Sequence, residues 1–269
     1  MTRTLHGIDF SGARQAGHGI WIAEAVVDGD SLHIEGCASA ADRFGVAERA
    51  PCLGSLREFL RDAEVVGMDF PFGVPAAVHG CDSWVNSLEW VATVATDVDG
   101  FEEACVSRAE DAGTDRTYLL RETDGPVGAK SPYHWLVASQ TFYGIRDVLA
   151  PLARTDDVRV RPMQADEGGS GATQLCEVYP AATLATCSLP AREYKDDDGP
   201  ARERRAEIVD GLESGTRIEL TDSVRGQLID DAGGDALDAV VAALATDRAR
   251  RADFEPDREY DPTEGHIYV

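Results

Sequence analysis

RTLHGIDF (Arg3–Phe10) and EVVGMDF (Glu64–Phe70) are the two stretches whose reading decides the fold. Each is a short apolar run with a carboxylate near its end, Asp9 or Asp69, and one phenylalanine between that acid and a turn signal (Ser11-Gly12 or Pro71). On a strand, alternate side chains share a face, so Leu5, Gly7 and Asp9 point one way while Ile8 and Phe10 point the other. An ionised Asp closing an apolar strand is costly unless something pairs with it. Two such strands side by side would bring both carboxylates to the carboxyl edge of a sheet, where open α/β sheets bind ligands. Held that close they repel, and a divalent cation resolves the repulsion.

Working outward, GIWIAEAVV (Gly19–Val27) reads as a second strand, and Ser31–Cys37 as a third beyond the Asp28-Gly29-Asp30 turn. Apolar residues at 53, 56, 59 and 60 give Leu53–Asp62 a helical spacing before the parallel strand Glu64–Phe70. Three antiparallel strands, a helix and a parallel strand are the opening order of a ribonuclease-H-like mixed α/β sheet flanked by helices. Residues 76–130 carry helical patterns at 84–95 and 101–112 and then a loop rich in Gly, Pro and charge, an expected insertion or lid within a single domain spanning 1–269. Tyr133–Leu152 reads as an amphipathic helix. Val158–Met163 and Gln174–Tyr179 read as strands joined by a mobile Gly-Gly-Ser-Gly loop. Pro200–Leu212 is expected to be a charged helix, and Asp235–Arg251 a final one with a stripe at Leu237, Val240, Val241 and Leu244 among alanines.

The last helix begins DALD, placing Asp235 and Asp238 one turn apart on one side. Acids in a first turn favourably meet the helix dipole, which accounts for Asp235 alone. Asp238 borders the apolar stripe, and the surrounding alanines would let the helix approach the sheet closely. Glu177 in QLCEVYPAA follows an apolar run; taken alone, it reads as an edge-strand residue facing solvent.

Acids outnumber bases 49 to 25, a formal charge of −24, and of the bases only Lys130 and Lys195 are lysines. Such acidity is self-repelling unless salt screens it, so the composition points to the cytosol of a halophile. No apolar run approaches the ~18 residues of a membrane span, and the strand-like start leaves no room for a signal peptide; a cytoplasmic protein is expected. The six cysteines show no CxxC pair or zinc spacing and read as small buried hydrophobes. Oligomeric state is not readable from the chain.

GIDFSG, GMDFPFG, EVYPAA, a Tyr194-Lys195 pair before an Arg-rich helix, DALDAVVAAL and a closing EGHIYV follow one another in the order seen in the domain of unknown function 429 family, which this chain resembles over nearly its whole length, residues 80–130 least. That family comprises predicted ribonuclease-H-like nucleases. The resemblance implies that Asp9, Asp69, Glu177, Asp235 and Asp238 form an acidic catalytic cluster holding two Mg²⁺ or Mn²⁺ ions, with nucleic acid as the partner. Hard oxygen ligands suit these ions, and phosphodiester hydrolysis with a two-metal arrangement is the implied chemistry. Arg116, Arg121 and Lys130 in the irregular segment, with Lys195, are the cations expected to face phosphates, although taken singly they read more readily as solvated surface charges. No basic face of the kind nucleic-acid binders present is evident, but counterion release contributes little in molar salt.

Two other readings fit the same strand order. An actin-like or sugar-kinase-like phosphotransferase would use Asp231-Ala232-Gly233-Gly234 as a phosphate-contacting turn, but needs a second facing domain that the sequence does not offer. A non-catalytic binding module would keep the fold without its metals; five retained acids argue against it.

Overall fold

The computed structural model describes residues 3–165 and 171–269. Its strands are β1 (Arg3–Asp9), β2 (Trp21–Asp28), β3 (Ser31–Ser39), β4 (Val65–Asp69), β5 (Val158–Arg161), β6 (Thr173–Val178), β7 (Ile218–Leu220) and β8 (Ile267–Tyr268). They form one sheet in the order β5-β6-β4-β1-β2-β3-β7, with β8 added beside β6. β1, β2 and β3 are antiparallel neighbours, whereas β4 pairs with β1, and β6 with β4, in parallel. This is the ribonuclease-H-like mixed sheet the opening strands predicted. Gly29, with φ +58°, supplies the left-handed residue of the tight β2–β3 turn.

The alternation along β1 divides the core. Ile8 and Phe10 join a cluster with Leu53, Leu56, Met68 and Phe70, under helix Arg49–Asp62 and the helices that follow β4. Leu5 joins the opposite cluster with Leu237, Val240, Val241 and Leu244 of helix Asp235–Arg251. That helix has the bounds expected of it, and its residues 236–247 are all buried. Its alanines bring its backbone onto the sheet. A Cβ on Gly7 would collide with the backbone of Ala239 and Ala243, and one on Gly67 with Thr246 Oγ1. Gly7 and Gly67 are register partners across β1 and β4, so the two bare positions form a seat for the helix.

The segment 76–130 holds helices Ala76–His79, Trp84–Val94, Val98–Asp111 and Asp124–Val127. Trp84, Leu88, Phe101 and Cys105 lie in the same cluster as Ile8 and Phe70, so the insertion packs as part of the body. The helix expected from Tyr133 instead begins at Ala138 and contains a π-helical turn at Ile145–Leu149. Tyr133 is withheld from it because its hydroxyl accepts from Leu119 N–H at 2.7 Å and donates to Thr117 O at 3.1 Å, pinning the preceding loop. Of the expected Gly-Gly-Ser-Gly loop, residues 168–170 lie outside the described residues. Helices Pro180–Thr186 and Asp222–Asp230 and strands β7 and β8 were not foreseen from periodicity; each is nine residues or fewer. None of the described helices is long and apolar enough to cross a membrane.

Candidate metal centre

Asp9 and Asp69 are register partners at the carboxyl ends of β1 and β4, two residues beyond the Gly7–Gly67 seat and on the same face. The seated helix brings Asp238 to them from above. One carboxylate oxygen from each of Asp9, Asp69 and Asp238 lies within 4.8 Å of the other two. Asp238 is 3 % exposed and Asp9 8 %, so the cluster is closed on the sheet side, and Asp69 lines its open side.

Burial is the main reason the Asp9 and Asp69 carboxyls stand well above the ordinary carboxylate range; the Asp238 charge adds to it, and Lys195 offsets part. Three carboxylates so close, two of them buried, cannot all stay ionised on the single charge of Lys195. Two side chains hold Asp238 in place. Tyr194 Oη donates to its Oδ1 at 2.7 Å, and the Lys195 ammonium rests on its Oδ2. Lys195 also reaches Asp235 Oδ1 at 3.8 Å. Asp235 lies beside Asp9, close enough to share a hydrogen bond, and is raised chiefly by burial.

Glu177 is placed differently. Arg121 donates to both of its oxygens, at 2.8 Å and 2.5 Å, and Phe72 N–H donates to Oε2 at 2.9 Å. The second partner of the guanidinium is Asp124, at 2.8 Å. Burial raises Glu177, and Arg121 opposes that shift. Glu177 therefore borders the three-Asp group, within electrostatic reach of Asp69, and already accepts three hydrogen bonds. The same contacts correct the expectation for Arg121: at 2 % exposure and paired with two carboxylates, it is an interior cation and does not face a phosphate. Arg116 is exposed on the insertion, outside the set of residues that line the pocket beside Asp69. Lys130 and Lys195 both line that pocket.

Sequence reasoning did not single out Tyr194, Asp124 or Glu264. Tyr194 stands in the quoted Tyr-Lys pair and Glu264 opens EGHIYV, so both had a visible signal. Glu264 accepts from the backbone N–H groups of Ala76, at 2.6 Å, and Glu122, at 2.9 Å, tying the C-terminal segment to both ends of the insertion. Asp124 had none.

The donor set suits a hard divalent ion. Ligand oxygens about 2.1 Å from Mg²⁺ lie within roughly 4.2 Å of one another, and small rotations of three carboxylates within 4.8 Å reach that span. A mixed sheet ending in a strand–strand–helix carboxylate triad defines a ribonuclease-H-like protein with a candidate cation site. The family model described as a protein of unknown function (DUF429) matches residues 7–260, and the chain belongs to that family. No curated protein and no solved structure matches it.

Proposed function

We propose that the protein is a divalent-metal-dependent phosphodiesterase acting on nucleic acid. The observation that carries this reading is the convergence of Asp9, Asp69 and Asp238 from two strand ends and a helix. In this reading Asp9, Asp69 and Asp238 hold the ion, Mg²⁺ or Mn²⁺. When bound, it supplies Lewis-acid activation of water and stabilises charge developing on phosphoryl oxygens. Asp9 and Asp69 contribute rigidity, since each is fixed by the register of a central strand. Tyr194 orients Asp238 so that its second oxygen turns toward Lys195. The Lys195 ammonium neutralises the acids at rest and is placed to meet a phosphate once a metal takes over that duty. Asp235, beside Asp9, is the natural ligand for a second ion. Glu177 joins it only if Arg121 releases it.

The acidic surface supports a salt-rich cytosol as the setting. The deciding experiment combines Mn²⁺ titration by calorimetry with cleavage assays on labelled single-stranded, duplex, hybrid and branched substrates. ATP hydrolysis is assayed in parallel. Metal binding with cleavage is expected; metal binding with ATP turnover alone would favour a phosphotransferase, and no metal binding a non-catalytic module.

A further inference from the structure

A cavity of about 590 Å³ opens beside Asp69 and Glu177, walled by the loop at 129–137 and the start of helix Ala138–Gly144 on one side and by β6 and β8 on the other. Its walls carry two kinds of surface. Leu136, Val137 and Ile267 make an apolar slot, and Leu136 is 50 % exposed with nothing packed over it. The half-buried ring of Tyr179 faces the same space. Within this slot stands Gln140, half-buried, whose carboxamide has no hydrogen-bond partner among the described residues. A carboxamide on a cavity wall that no protein group engages keeps two donors and an acceptor for whatever enters the cavity.

The chain's two lysines also line the cavity. Lys130 is exposed and has no carboxylate partner among the described residues, so its charge is available to an anion. Lys195 stands between the cavity and the three-Asp group. A ligand that satisfies every wall is flat and apolar on its faces, has a donor–acceptor edge, and carries an anion toward the carboxylates. A nucleotide has all three properties. A base still paired and stacked in a duplex has neither its faces nor its edge free to enter such a slot.

We propose that this cavity binds one unpaired nucleobase of the substrate, and hence that the protein acts on single-stranded nucleic acid or on unpaired nucleotides. Tyr179 stacks on the base, Gln140 hydrogen-bonds its edge, and Lys130 and Lys195 take its phosphates. This rests on the hydrolase reading above for the role of the neighbouring acids, but binding tests it without catalysis.

The experiment is equilibrium binding of a labelled 12-nucleotide single strand and of a hairpin duplex to the full chain, with Ca²⁺ present and in the salt that gives the highest melting temperature. Competition uses a nucleoside 5′-monophosphate in one arm and inorganic phosphate in the other. Single strand is expected to bind at least tenfold more tightly than duplex. The monophosphate should displace it at concentrations where phosphate does not. Gln140→Leu and Tyr179→Leu should each weaken single-strand binding at least fivefold, the low end for a lost base stack. Gln140 makes no hydrogen bond to the described residues, so its near-isosteric replacement keeps the fold; an unchanged melting temperature verifies this. Equal affinity for the two substrates, displacement by phosphate alone, or wild-type binding by Gln140→Leu would overturn the base pocket. Any of these, alongside Mn²⁺-dependent cleavage by the wild type, would remove the pocket while leaving the hydrolase standing.

Discussion

Gly7 lies directly beneath Ala243: the side chain that any other residue would place there has its space taken by the backbone of helix Asp235–Arg251. This contact sets the height of the helix above the sheet, and the height determines whether Asp238 reaches Asp9 and Asp69. Gly7→Ala should therefore damage fold and site together. Overpacking costs about 1–3 kcal/mol, and the obstruction here is backbone, so the upper part of that range is expected, a fall of roughly 5–10 °C in Tm. Mn²⁺ affinity should drop about tenfold, equivalent to about 1.4 kcal/mol. Gly36→Ala, in β3 with open space around it, is the control and should change neither. Calorimetry on both variants checks this, and unaltered Mn²⁺ binding by Gly7→Ala would show that the seat does not position Asp238.

A second expectation concerns salt. With 49 acids against 25 bases, repulsion acts across the whole surface. Many of the arginines are already committed to exposed pairs, such as Arg202–Asp230 and Arg154–Glu89. Such pairs weaken in salt, but each contributes only about 0–1 kcal/mol, whereas the net repulsion is relieved everywhere at once. Tm should rise by on the order of 10 °C between low and molar KCl, about 2.5–5 kcal/mol for a chain of this size. A flat or falling Tm would contradict the reading of the composition as halophilic.

Arg121 carries the third. It is shared by Asp124 and Glu177 in the interior, so Arg121→Met strands two carboxylates with no cation. Breaking a buried pair from one side costs about 3–5 kcal/mol, which denaturant unfolding should read as a lower midpoint. Adding Glu177→Gln removes one stranded charge and should restore part of the loss. If the single variant is as stable as wild type, the network does not hold the insertion to β6.

Much of this was legible in the sequence. The strand-end carboxylates stood out as a pair: either Asp alone reads equally as a turn former, but two at equivalent strand ends do not, and Asp9 and Asp69 prove to be register partners. The final helix was readable to its ends because its apolar stripe is long and begins after Gly233-Gly234, the second of which is left-handed at φ +71°. Arg121 was misread because its partner Glu177 lies 56 residues away and the surrounding chain has no period from which burial can be inferred. Tyr133 failed in the same way: its spacing fits a helix, but its hydroxyl is used by a loop, a tertiary demand invisible to periodicity. Gln140 offered no signal at all, since an unpaired amide is recognisable only once its surroundings exist.

The last expectation tests the metal centre through pH as well as activity. Burial and the Asp238 charge raise the folded-state pKa of Asp9 above its unfolded value. Between those two values the folded chain binds the extra proton, so stability contributed by this group falls as pH rises and is most unfavourable at neutral pH without metal. Asp9→Asn removes the charge at nearly constant shape. In metal-free buffer at pH 7 it should raise Tm by about 2–4 °C, the shift given by about 1 kcal/mol. That advantage should shrink as pH is lowered, because wild-type Asp9 then takes up the proton itself. With Mn²⁺ the order should reverse: a ligand that binds only the folded state stabilises the wild type in proportion to its saturation, and Asn offers a weaker, neutral oxygen. Metal-dependent hydrolysis should fall at least a thousandfold, about 4 kcal/mol of barrier. The measurement is a set of melting curves at several pH values with and without Mn²⁺, beside cleavage rates for both proteins. A variant that melts below wild type in metal-free buffer at pH 7 would mean that Asp9 stabilises the fold as an ordinary turn carboxylate, and the cluster would lose its claim to a cation.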